Sequence, residues 1–106
     1  MKNNAPAVEI VQFRLSQVRD ERAFLAASDA MMEDLLKEPG FISRELLKLG
    51  GGEWMDIVHW ESIEDAEAAE EAVMTIPSCL AFFGMIDQAS IRMMHVEQLK
   101  EYTAAA

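Results

Sequence analysis

Basic residues are scarce in this 106-residue chain: 9 Lys and Arg stand against 19 Asp and Glu, a formal net charge of -10. Phosphate binding needs clustered cations that displace counterions, so this balance argues against nucleic acid as a partner. Anionic membrane surfaces are disfavoured for the same reason. The shortage is local, because no Lys or Arg occurs from residue 49 to 91 while that stretch carries nine carboxylates. A solvated, self-repelling surface accounts for much of such acidity. Cys79 is the single cysteine, which excludes an intrachain disulfide and suits a reducing, cytoplasmic setting. The opening MKNNAPAVEIVQF has no long apolar run ahead of a small-residue cleavage site, so no signal peptide is expected. Nor does any stretch approach the roughly 20 apolar residues that cross a bilayer.

What is present reads as one globular domain over residues 1–106, with 51% hydrophobic and 26% charged residues. Its core is expected at about residues 8 to 97, with flexible ends at 1–7 and 103–106. VEIVQFRL, from Val8 to Leu15, is rich in β-branched and aromatic residues and predicts a strand. From Asp20 the period changes: Phe24, Ser28, Met31 and Leu35 recur at helical spacing until Pro39-Gly40. FISRELLKL (Phe41 to Leu49), a triple-glycine turn and the segment Glu53 to Glu61 predict an antiparallel hairpin. Ser62 with Asp65 three residues on suggests a helix cap, and that helix runs to about Thr75. Pro77 breaks it, CLAFFGMI (Cys79 to Ile86) follows as a helical turn or two, and SIRMMHV (Ser90 to Val96) supplies a fourth strand. The order β-α-β-β-α-β predicts an α+β, ferredoxin-like fold with a four-stranded antiparallel sheet.

Two helices cover only one face of such a sheet, yet these strands are apolar on both. Val8 and Ile10 oppose Val11, Phe13 and Leu15, and Met55 and Ile57 oppose Val58 and Trp60. An exposed face would alternate with polar residues. A second copy of the sheet is the economical cover, so a homodimer packed face to face is expected. Ile57 and His59 then point at the partner, as do Met93 and His95 if the last strand keeps register.

The remaining face carries the candidate chemistry. Asp56 and Trp60 share it through the strand period of two. They form either an aromatic wall with a proton acceptor or a core residue with a solvated carboxylate at the hairpin mouth. Phe82, Phe83 and Met85 line a small-molecule pocket with Met31, or else plug the core. Cys79 could act as a nucleophile only with a neighbouring base or helix terminus. His59 and His95 have no third ligand at suitable spacing, so no metal is expected.

The chain resembles the dimeric α+β barrel proteins, and among them the antibiotic biosynthesis monooxygenase-like family. The resemblance covers roughly residues 8 to 97 and is carried by PGF at 39–41, WES at 60–62 and FF-x-x-x-D from Phe82 to Asp87. It implies a dimeric barrel with an intrasubunit pocket lined by Trp60, and a polar residue at position 56 where quinone-forming oxygenases carry an amide. The haem-degrading branch is a poorer match. Its haem-ligating histidine falls at Glu70 and its first-strand asparagine at Phe13. The family's cofactor-independent oxygenases imply oxidation of a small aromatic or hydrophobic metabolite, without resident cofactor, with Trp60 positioning the ring and Asp56 as base. A non-catalytic ligand-binding or stress-response dimer, or a small-metabolite isomerase or lyase, are the other readings of the same fold.

Overall fold

A computed structural model describes residues 5–16 and 20–105. Strand β1 (Ala7–Arg14) is followed by helix α1 (Glu21–Leu35), the hairpin β2 (Phe41–Lys48) and β3 (Glu53–Trp60), helices α2 (Ile63–Ala72) and α3 (Pro77–Phe83), and strand β4 (Arg92–Glu97). The sheet is antiparallel throughout, in the order β2-β3-β1-β4. This is the expected ferredoxin-like α+β topology, with the apolar segment after Pro77 forming a helix of its own. Among the described residues no helix is long and apolar enough to cross a membrane.

Local chemistry sets the boundaries. Asp20 caps α1 by accepting a hydrogen bond from the Arg22 amide, and Ser62 caps α2 by accepting from the Asp65 amide. Each satisfies an N–H that the first helical turn leaves without a partner. Pro77 opens α3 at a position where its missing N–H costs nothing. Gly40 sits at φ 83°, and a Cβ there would run into the Asp65 side chain. Only glycine suits both demands. Its carbonyl accepts from the Glu61 amide at 2.8 Å, and Phe41 meets Trp60 edge-to-face at 5.7 Å between ring centroids. The PGF and WES motifs therefore touch and close one corner of the sheet.

The first strand begins earlier than the sequence suggests. Ala7 is 0% exposed, paired with Trp60 on one side and Glu97 on the other, and the Gln98 amide donates to the Pro6 carbonyl. Residues 6 and 7 are thus pinned into the sheet, not loose. Of the ends expected to be flexible, residues 1–4 and 106 lie outside the described residues, and 103–105 are exposed without regular structure.

Both helix layers pack on one face of the sheet. Phe24 of α1 stacks on Phe82 of α3 at 5.0 Å, and Phe13 and Trp54 meet this pair edge-on. Ser78 Oγ donates to Asp34 Oδ2 at 2.6 Å, tying α3 to α1. On the other face Ile10, Met55, Ile57 and Met94 share rows of the sheet with no helix among the described residues over them, and Met94 is 56% exposed.

The register corrects two assignments to that open face. His95 pairs with Glu9, and Met93 with Val11, which places both under the helices; Met94 and Val96 face outward instead. Both parities of β4 carry apolar side chains, so alternation within the strand leaves its orientation undecided, and pairing with β1 decides it. Ile57 and His59 do lie on the open face, where His59 Nε2 is 3.8 Å from Glu45 Oε1.

Candidate functional site

Between the sheet and its helices lies a cavity of about 240 Å³. Trp60 and Phe82 wall it from β3 and α3, and Phe83, Met31, Val58 and Ile86 add apolar surface. Phe82 and Phe83 line this space; they do not fill it. Met85 is packed against the core and is not among the lining residues. Met74, Met93 and Glu70, the more exposed part of the lining, mark its mouth between α2 and β4.

The polar groups of the cavity come from one row of the sheet. Arg44 of β2 pairs with Val58 of β3, Val58 with Glu9 of β1, and Glu9 with His95 of β4. Adjacent strands lie about 4.8 Å apart, so a cation and an acid stand roughly two strand spacings apart with an apolar floor between them. Asp56 belongs to the next row, opposite Val11 and Leu46.

Asp56 is buried, but its two oxygens are occupied. Arg44 Nε donates to Oδ1 at 2.8 Å and Arg44 Nη2 to Oδ2 at 2.9 Å, while Arg44 Nη1 donates to Ser28 Oγ at 2.8 Å. The Arg44 side chain is 4% exposed, and its guanidinium lies 5.1 Å over the Phe82 ring. A planar guanidinium and a carboxylate matched in this bidentate way hold each other's charge and orientation. The expected base thus has its lone pairs directed at a cation. Arg44 keeps N–H groups in reserve, since three of its five are used.

Glu9 is the acid with room to react. Trp60 Nε1 donates to Glu9 Oε1 at 3.2 Å, whereas Oε2 has no hydrogen bond among the described residues. Burial pushes the Glu9 carboxyl above its ordinary 4.5, and Asp56 and Glu70 add to the rise; His95 and the Trp60 N–H pull the other way. His95 Nε2 is buried without a hydrogen-bond partner among the described residues, 3.8 Å from Glu9 Oε1 and 4.0 Å from Glu70 Oε2. Among the described residues no group of three His, Cys, Asp or Glu side chains is arranged to hold a metal ion. Cys79 is fully buried, and burial raises its thiol, which suits core packing better than nucleophilic attack.

Sequence reasoning found Trp60, Phe82, Phe83 and Met31 for this cavity and missed Arg44, Glu9 and His95. Glu9 was legible: it shares strand parity with Val11 and Phe13, so an acid stood on an otherwise apolar face. Arg44 was hidden by a bulge between Phe41 and Ser43, which changes the parity of β2.

Comparisons with known proteins agree with this fold. The chain resembles SnoaB, a cofactor-independent oxygenase from Streptomyces nogalater, at 15% identity and TM-score 0.63, over 93% of this chain and 96% of that one. A haem-degrading protein from Mycobacterium tuberculosis superposes with TM-score 0.67 at 17% identity, over 96% and 100%. A dimeric ferredoxin-like protein from an uncultured marine organism gives 0.69 at 12%, over 95% and 94%. At such identities the likeness shows the fold alone, and two of these proteins carry different chemistry on it. No curated protein matches the sequence. The family model for antibiotic biosynthesis monooxygenases matches residues 8–82, most of the sheet and both packed helix layers, and the chain belongs to that family.

Proposed function

We propose that this protein is a homodimeric, cofactor-independent oxygenase that oxidises a small, electron-rich aromatic molecule in the cavity between sheet and helices. The observation that carries the reading is Glu9: a half-buried carboxylate, oriented by Trp60 through one oxygen, with the other without a hydrogen bond among the described residues in an aromatic-lined space. Its raised pKa brings it closer to the working pH of a general base. The family and the oxygenase among the structural neighbours support the same class of reaction.

A phenol bearing a fused aromatic ring illustrates the chemistry. Glu9 Oε2 takes the phenolic proton, and the phenolate spreads its charge to the para carbon. That anion passes one electron to dioxygen, and the radical pair closes a C–O bond. The peroxide oxygen recovers the proton from Glu9. Loss of the ring proton with cleavage of the O–O bond gives a quinone and water, so one phenol and one dioxygen are consumed. The ring would lie against Trp60, and the spare N–H groups of Arg44 would face the negative charge that develops on oxygen. Asp56 then acts through Arg44, holding it in place.

Oxygen uptake with naphthol-type phenols and quinols, in chelator and without added flavin, tests this. The wild type should consume oxygen in step with quinone formed, and Glu9→Gln should lose about a hundredfold or more in turnover. Turnover unchanged in Glu9→Gln would remove Glu9 as the base. The open sheet face is the surface on which two subunits would meet, and light scattering at micromolar concentration reads that directly.

A further inference from the structure

His95 is a half-buried imidazole that the reaction above does not use. Its buried Nε2 has no hydrogen-bond partner among the described residues, yet it stands 3.8 Å from Glu9 Oε1 and 4.0 Å from Glu70 Oε2. A buried nitrogen without a partner calls for a reason. These gaps are too short for an intervening water to hydrogen-bond well to both sides, and a shift of about 1 Å closes either into a direct hydrogen bond. The two carboxylates differ in setting. Glu9 is on β1 inside the cavity, whereas the Glu70 side chain, on α2, is 48% exposed at the mouth. His95 itself is not among the lining residues, so the line Glu9–His95–Glu70 runs behind the space that a ligand would occupy.

We propose that His95 is a proton relay between Glu9 and Glu70, connecting the cavity acid to solvent when a bound ligand has displaced water from the mouth. The imidazole accepts at Nε2 a proton that Glu9 holds at Oε1, becoming an imidazolium between two carboxylates. It then releases the same proton to Glu70, from which water takes it. A Glu9 that is protonated when the ligand binds thus regains the ionised form from which the reaction starts. The proton that Oε2 takes from the phenol returns to the peroxide and does not use the relay. No bond other than those to the moving proton changes. The charged or polar groups that face Glu9 are His95 from β4, Trp60 and Asp56 from β3, and Glu70 from α2. Arg44 stands two strands away, neutralised by Asp56. The role in turnover rests on the oxygenase reading; the coupling of the three groups does not.

The test is an NMR titration of the Glu9 carboxyl carbon in the intact protein, without any ligand. His95→Gln removes an imidazole whose charged form favours ionised Glu9, so the Glu9 midpoint should rise. Glu70→Gln removes a negative neighbour, so the midpoint should fall. A merely structural effect would not move the two variants in opposite directions. Glu70 lies on the exposed side of α2, so that variant reports even if His95→Gln fails to fold. Glu9 midpoints that stay at the wild-type value in Glu70→Gln, or that shift in the same direction in both variants, overturn the relay. With 1-naphthol as probe, His95→Gln should lose about tenfold in oxygen uptake at saturation, and added imidazole should restore part of it. Full activity in His95→Gln also overturns the relay. If the wild type consumes no oxygen, the oxygenase reading fails, and the titration still decides the coupling.

Discussion

The two faces of the sheet use similar apolar residues for opposite ends. Under the helices, Val11, Val58, Trp60 and Phe13 surround a cavity that holds Arg44, Asp56 and Glu9, with His95 behind Glu9. On the outer face Val8, Ile10, Met55, Ile57 and Met94 form an apolar surface whose polar members, such as Glu45 and His59, sit beside it. Polar groups inside an apolar wall are expensive unless paired or used. Apolar groups on a solvent face mark a surface for contact. On the proposed function, one face serves chemistry and the other association.

Breaking the charge pair on the inner face has the largest expected effect. Arg44→Met leaves Asp56 buried without its cation and should cost about 3–5 kcal/mol of stability in urea or thermal unfolding. Arg44→Met combined with Asp56→Leu removes both charges and should recover most of that loss, which separates the penalty of the orphaned charge from the worth of the pair. On the outer face Ile57→Asp should weaken self-association by roughly a hundredfold, about 3 kcal/mol, in sedimentation or light scattering. Its folded monomer should keep the cavity, because Ile57 does not line it. Should Ile57→Asp empty the cavity instead, the two faces would not be separable.

The smallest effect is a pH dependence confined to Glu9. Its folded-state pKa lies above the ordinary 4.5, so the folded protein holds that proton more tightly than the unfolded chain. Below 4.5 both states are protonated and Glu9 contributes no difference. As pH rises from there through the folded pKa, stability falls. Glu9→Gln should therefore be more stable than the wild type near neutrality, with the gap closing in acid. A gap in Glu9→Gln that widens in acid would mean that the carboxylate is stabilised by its partners, not penalised by burial.

Much of the frame was legible along the chain. Strand and helix periods, Ser62 as a cap, and the breaks at Pro39-Gly40 and Pro77 give the order of elements in advance of any coordinates. The apolar character of both strand parities pointed to a second covered face. The same property obscured β4, since Met93 and Met94 are interchangeable by composition and only pairing with Val11 and Ile10 tells them apart. Trp60 was identified by parity and motif. Asp56 was placed on the correct face, but the partner that occupies its oxygens lies across a bulged hairpin.

The sequence by itself determined the topology, the cap and turn chemistry, and the presence of more apolar strand surface than two helices can cover. Those follow from forces acting over a few residues: backbone preference, side-chain period and the satisfaction of helix ends. Tertiary structure alone decided that Arg44, Val58, Glu9 and His95 form one row. Those residues come from four strands separated in the chain, and only cross-strand register brings them side by side. A one-residue slip in any strand would turn its member of the row to the opposite face. The site is a product of register, and register is set by the whole sheet.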